Sequence, residues 1–477
     1  MRIEHDFLGE MEIEDSAYYG IQTKRGLRYS AKSGHSFGQD AFVLIYNLAA
    51  LKLAAAQSNC LSGGLTEKQC RAIIQACQEI MEGRFMDQFP TDLFTGGGGI
   101  TVHMNVNEVI ANRANEILTG HKGYDAIHPN THVNMSQSTN DVLPCALLLS
   151  LNSLLEDLAS STKAAANITD KKAEEFKDVV KIGRTCLQDA VPITLGQEFS
   201  GYASALHRQV TLLQELADAC LVLPIGATAV GTGVGLQPGY ILQAENCLSN
   251  ILHKDIRVTK NYFDAFQNSD IYTRISCALK TLAGVLSKMA TDLRLMSSGP
   301  RAGFHEINLP RLLPGSSIMP GKINPILPEL VIQVCFQING NDTAISMAVD
   351  NCDLDLNVWE AVMTKCLFES CTLLSRSLDV FARECVAGIT ANVDVCREYA
   401  ENSTAISAIV SAVWGYETGS SVAREAVEKD MTIYEVVVSR GLLNEEQARE
   451  LLDPLTLVDP VKNQKNIAKY QRLLGFA

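Results

Sequence analysis

The chain of 477 residues lacks a surplus of positive charge: 40 Lys and Arg stand against 54 Asp and Glu, a formal net charge of −14. A nucleic-acid binder normally presents a basic face, and attachment to an anionic membrane needs one too, so neither partner is expected. The 14 cysteines contain no Cys-x-x-Cys pair. The opening Met1-Arg-Ile-Glu-His-Asp6 is charged and has no apolar core of the secretory kind. A reducing, cytoplasmic setting follows as the expectation, with free thiols acting as small apolar side chains. The longest uncharged run, Ala219 to Ala244, is broken by Pro224, Pro238 and five glycines. It reads as a buried, turn-rich segment and not as a membrane span.

Several catalytic signatures are missing too. The histidines form no His-Glu-x-x-His and pair closely with no cysteine, so no metal site is expected. The run Gly96 to Gly99 is not followed by Lys-Ser/Thr, and Gly231-Thr-Gly-Val-Gly-Leu236 is not Gly-x-Gly-x-x-Gly. No Gly-x-Ser-x-Gly elbow occurs. Alternating strand-like runs are scarce.

What the sequence does have is helical periodicity. Ile271, Ile275, Leu279, Leu282, Leu286, Met289, Leu293 and Met296 follow one another at steps of three and four. They describe one stripe on a helix about 39 Å long. Leu147, Leu151, Leu154 and Leu158 repeat the pattern, as do Leu206, Val210, Leu213, Ala217 and Cys220. Long helices with apolar seams pack as bundles, and seams this long suggest packing between subunits. At roughly 150 residues per domain the length suits about three domains. Pro144 is expected to open a long helix and mark a first boundary near Asp141. After about Gly388 the long seams give way to shorter, charged segments, and a small C-terminal domain is expected there. The resulting division is residues 1–141, 142–390 and 391–477, all-α in class.

Three polar stretches could carry chemistry. Gly315-Ser-Ser-Ile-Met-Pro-Gly-Lys-Ile-Asn-Pro325 sets two hydroxyls in a glycine-flanked loop, with a lysine and an asparagine close behind. Such a loop can close over a ligand, and Lys322 offers a point charge for a carboxylate. An ordinary surface loop is the competing reading. Ser136-Gln-Ser-Thr-Asn-Asp141 precedes an apolar helix; capping accounts for one or two of these side chains but not the whole run. Gly183-Arg-Thr-Cys-Leu-Gln-Asp189 is a third, weaker cluster before a helix expected over Phe199 to Leu221.

Taken together, the motifs resemble the fumarase/aspartase superfamily over nearly the whole chain. The resemblance includes Asp15 to Thr23, His103 to Val109, Ser136 to Asp141, Gly183 to Asp189, Gly226 to Gly233, the Ser316 loop and Gly388 to Asn392. Met86-Asp-Gln-Phe-Pro90, Leu295 to Gly303 and Gln333-Val-Cys-Phe336 are most similar to the aspartase branch. The resemblance implies a three-domain helical subunit and a homotetramer around a core of about twenty helices. Each active site would draw on three chains. It implies an amino-dicarboxylate substrate, L-aspartate, converted reversibly to fumarate and ammonia. No metal or organic cofactor is implied for the chemistry, although some aspartases respond to divalent cations.

Roles transfer by position. By that resemblance, Ser316 is expected to be the base that removes a proton from the carbon beside one carboxylate, and the following roles are implied in the same way. Ser138, Thr139 and Ser317 donate to that carboxylate as it becomes an aci-anion. Lys322 and Asn324 hold the other carboxylate, Asn140 and Thr185 face the amino group, and Glu329 matches an active-site glutamate. This chain also departs from the pattern. Ile100 stands where the family has threonine, with Thr101 beside it to compensate, and His103 replaces an asparagine. Cys186 stands where fumarases carry histidine, which argues against hydration of fumarate; a buried, inert thiol is expected there ahead of a redox sensor. Thr131 replaces an aspartate of a secondary anion site. A lyase for another substituted succinate and an inactive structural homologue are the alternatives.

Overall fold

The computed structural model describes residues 1–475. Eight long helices dominate: α1 (Phe42–Leu61), α2 (Glu67–Met81), α3 (Ile100–Thr119), α4 (Thr139–Glu175), α5 (Leu195–Ala219), α6 (Asp270–Met296), α7 (Ile326–Asp350) and α8 (Glu360–Val380). Extended structure is confined to short pairs. The two longest are the hairpins β1 (Arg2–Asp6) with β2 (Gly9–Ile13), and β3 (Val180–Thr185) with β4 (Gln188–Thr194). The all-α class follows from this composition.

The periodic stripes bury as their spacing requires. On α6, Ile275, Leu279, Leu282, Leu286, Met289, Leu293 and Met296 are all buried, and only Ile271 at the helix start is partly open. On α4 the buried series is Leu147, Leu151, Leu155 and Leu158, so Leu155 takes the place expected of Leu154. The α5 series is buried throughout. That helix begins at Leu195, ahead of the expected Phe199. Helix α1 is apolar nearly all round, as befits a core helix, and packs against α2 and the helix Tyr240–Leu252. Helix α4 is long and apolar enough to cross a membrane by length and composition, but 72% of its most apolar window is buried inside the protein.

Pro144 does not open α4. The helix begins at Thr139, because Ser138 and Asp141 cap it there: Ser138 Oγ accepts from Asn140 N, and Asp141 Oδ1 accepts from Ser138 N. Pro144 sits in the second turn and withholds one hydrogen bond from the carbonyl of Asn140.

Backbone contacts divide the chain into two compact units. The first holds Met1–Ser160, Thr211–Thr281 and Phe336–Ser375. Within it, Glu108 of α3 is buried and accepts from the backbone of Gly20, Gln22 and Thr23 and from the Thr23 hydroxyl. Gly99 caps α3 at φ +72, and a Cβ there would lie 1.9 Å from Leu143 Cδ2. Only glycine lets the start of α3 lie this close to α4.

The second unit holds Ser161–Val210, Leu282–Cys335 and the chain from Arg376 onward. From Val393 its helices are short and share a core of Val410, Val422, Ile433, Val436, Leu451 and Tyr470. The β3–β4 hairpin also belongs here. It is anchored by Glu306, fully buried, which takes Arg184 at 2.8 Å and Lys181 at 3.1 Å; Lys181 also reaches Glu198 at 2.6 Å.

Candidate active site

The expected site residues fall into three local clusters. In the first unit, Ser138, Thr139 and Asn140 sit at the start of α4. Their loop is stapled from both sides. Ser136 Oγ donates to Asn59 Oδ1 on α1, and Asp141 Oδ2 accepts from Thr228 N. Thr228 belongs to the glycine-rich run Gly226 to Gly233, which thus helps to seat this motif. Asn140 Nδ2 donates to the carbonyl of Ala229 at 2.8 Å, which leaves Oδ1 as an acceptor. An acceptor is what an ammonium group requires. Thr101 does not join this group: its methyl packs against Gly26. Ile100 beside it is 41% exposed, an apolar surface at the first turn of α3.

Beneath Thr139 lies a buried cluster that the sequence reading missed. Thr139 Oγ1 is 2.7 Å from His103 Nδ1, and His103 Nε2 is 2.7 Å from Lys52 Nζ. Lys52 is fully buried in α1 and also donates to Asn134 Oδ1 and Gln137 Oε1, each at 2.9 Å. Burial pulls Lys52 down to about 7, with Asp141 opposing. Burial pushes Asp141 up to about 7 against the N–H donors of Ser138 and Thr228. His103 is held well below its usual range, by burial first and by the Lys52 charge second. The available signal was Lys52 itself, a lone charge inside the apolar run Leu48 to Ala56.

The second cluster is the β3–β4 turn. Thr185 pairs with Gln188, so Cys186 and Leu187 form a two-residue turn at φ +54 and +58. Such a turn usually takes Asn-Gly. Two side-chain-bearing residues in left-handed conformation mark the strain that functional loops carry. Cys186 is exposed at the tip, which corrects the expectation of a buried thiol: a turn residue whose neighbours only pair backwards has nothing to cover it. Thr185 is exposed beside it. The hairpin itself was not foreseen, because Pro192 and the polar tip broke the strand alternation.

The third cluster is the loop from Gly315 to Pro325. It is folded on itself: Gly315 N donates to the Lys322 carbonyl at 2.7 Å, and Asn324 Nδ2 donates to the Gly315 carbonyl at 2.9 Å. A Cβ on Gly315 would fall 2.7 Å from the Lys322 oxygen, so the closure requires glycine. Ser316 Oγ accepts two backbone N–H groups, from Ile318 at 3.2 Å and Met319 at 3.0 Å. Ser317 and Lys322 are exposed, and Glu329, in the first turn of α7, stands 3.9 Å from Arg294. Asn324 therefore spends one amide hydrogen on holding the loop and has one left for a ligand.

Comparison with known proteins decides the family. A model described as "Lyase" matches residues 9–340, and one described as "Fumarase C C-terminus" matches residues 408–459. The chain belongs to the fumarase/aspartase lyase family. Its similarity to curated members of that family runs the length of the chain. It is 42% identical over 465 residues to an aspartate ammonia-lyase of Helicobacter pylori (strain J99), covering 96% of this chain and 98% of the relative. It is 43% identical over 461 residues to an aspartate ammonia-lyase of Bacillus subtilis (strain 168), covering 96% of each. Among solved structures, a fumarate lyase:delta crystallin from Brucella melitensis bound to cobalt aligns with a TM-score of 0.93 at 42% identity, covering 96% of this chain and all of that one. A class II fumarase from Schistosoma mansoni aligns at 0.92 with 33% identity, covering 96% of this chain and 99% of that one. Like the relatives it resembles, this family member is an enzyme, a lyase. Among the described residues no group of three or more His, Cys, Asp and Glu could hold a metal ion. His128 uses Nδ1 to accept from Asn130 N and Thr131 N, so it caps its own turn.

Proposed function

We propose that this enzyme removes ammonia reversibly from L-aspartate to give fumarate. The observation that carries the reading is the environment of Ser316. A serine hydroxyl ionises far above neutral pH, and each unit of depression requires about 1.4 kcal/mol of preference for the alkoxide. Two backbone N–H groups already point at Ser316 Oγ. Donors aimed at a developing oxyanion are among the largest contributions a site can make. The Lys322 ammonium on the same loop adds charge of the right sign.

In this mechanism Ser316 takes a proton from the carbon beside one carboxylate. The electron pair moves into that carboxylate, which becomes a dianionic aci-carboxylate. Ser138, Thr139 and Ser317 donate hydrogen bonds to it. Collapse of the aci-anion forms the carbon–carbon double bond, and the carbon–nitrogen bond breaks to release ammonia. Asn140, through its free Oδ1, and Thr185 face the departing nitrogen. Lys322 and Asn324 hold the second carboxylate. Glu329 lies in the same site, as its position in the family pattern suggests.

We propose further that four chains assemble through the long helices, with each site drawing its three clusters from three chains. Phe336 and Met347, on one face of α7, support this: they are 67% and 63% exposed. The three-domain division and a cytoplasmic location belong to the same reading. Fumarate formation, followed by ultraviolet absorbance with L-aspartate and L-malate supplied separately, tests it. The second reading, a different substituted succinate, draws on the exposed Ile100 and Cys186, and a trace rate on aspartate beside a fast rate on such a compound would favour it.

A further inference from the structure

We propose that Lys52 and His103 form a buried proton relay that sets which way the Thr139 hydroxyl points, and so whether Thr139 can donate to the substrate carboxylate. The inference rests on the role given to Thr139 above.

The argument begins with donors and acceptors. A protonated Lys52 has three N–H donors and no lone pair. Its three near neighbours are His103 Nε2, Asn134 Oδ1 and Gln137 Oε1. All three donors are then used, and His103 must present a bare Nε2. The neutral imidazole therefore carries its proton on Nδ1 and donates it to Thr139 Oγ1, 2.7 Å away. The Thr139 hydroxyl hydrogen is left free for a ligand. If Lys52 loses its proton, its lone pair accepts from Nε2–H. Nδ1 then becomes the acceptor and captures the Thr139 O–H. One proton on Lys52 reverses two hydrogen bonds and withdraws a donor from the site.

His103 stays neutral in both states, so only its tautomer changes. The charged and titratable groups that face Lys52 are His103 of α3, Asp141 of α4 and Cys77 of α2. Asp141 is in turn faced by Cys145, Tyr240 and Tyr262, which burial holds un-ionised near neutral pH. Lys52 and Asp141 both titrate near pH 7. Ionised Asp141 favours charged Lys52, so the switch belongs to the pair. The asparagine that the resemblance implies at position 103 has no tautomers and would not support this device.

Neutron diffraction from crystals of the unmodified protein, held near pH 6 and near pH 9, reads the relay directly. The expected result is deuterium on His103 Nδ1 with three on Lys52 at the lower pH, and deuterium on Nε2 with Thr139 O–D turned to Nδ1 at the higher. The same tautomer and hydroxyl direction at both values would overturn the proposal. Kinetics give a second test. In the wild-type enzyme kcat/KM for L-aspartate should step down by about a hundredfold as pH rises through the region near 7, the worth of one donor. His103→Asn and Lys52→Met should each lose that step, whatever their absolute rates. A step retained in both variants would also refute the relay. A wild-type enzyme inactive on L-aspartate would sink the proposed function instead, and the neutron result would still decide the relay.

Discussion

A hydroxyl can serve as a base only where something holds its anion, and in the proposed mechanism the loop's own backbone does this for Ser316. Ile318 N and Met319 N reach Oγ only because Gly315 lets the loop close on the Lys322 carbonyl. Ser316→Ala should therefore keep its fold and assembly by circular dichroism and light scattering, and lose turnover by at least about a thousandfold. An unchanged rate would remove Ser316 as the base. At this scale the sequence was most informative where residue types cluster along the chain. Ser316, Lys322 and Asn324 do share one loop, and Ser138, Thr139 and Asn140 do share one helix start. Lys52 stood out only as a lone charge in an apolar run and His103 only as a departure from the family pattern; they meet Thr139 when three helices pack, and no local pattern announces that meeting. Thr101 lies one step along the helix from Ile100, a turn of about 100°, and its methyl packs against Gly26.

Among the elements, the β3–β4 hairpin depends most on distant support. Its strands are short and its tip is strained, yet it carries Thr185. The buried carboxylate of Glu306 holds it through Arg184 and Lys181. Removing one partner of such a group strands the other charges. Glu306→Gln should lower stability by about 3 kcal/mol, seen as an earlier urea transition, and should lower kcat as Thr185 loses its place. A transition unchanged in midpoint would show that the hairpin stands without the ion pairs. Long helices were legible because a period of 3.6 repeated over many turns leaves one solution, as on α6. Boundaries were not: Ser138 and Asp141 outweigh Pro144 in setting where α4 begins.

For the molecule as a whole, buried acids link stability to pH. Glu360 of α8 is buried, and burial raises it to about 7. A raised carboxylate holds its proton in the folded chain after the unfolded chain has released it. The stability it contributes is therefore full at low pH and lost as pH climbs from the ordinary carboxylate range through about 7. Glu360→Gln should match the wild type near pH 4 and exceed it by about 3 kcal/mol above pH 7. Thermal midpoints across that range check the sign; a variant less stable at high pH would mean that the ionised carboxylate is paired. Lys52 contributes in the other direction, adding stability as pH rises above about 7.

The central claim is a reaction, and fumarate release measures it. The purified protein, given L-aspartate and L-malate in separate cuvettes, should produce fumarate rapidly from aspartate and not from malate. Fast release from malate, or silence on aspartate by a folded and assembled protein, would contradict the account.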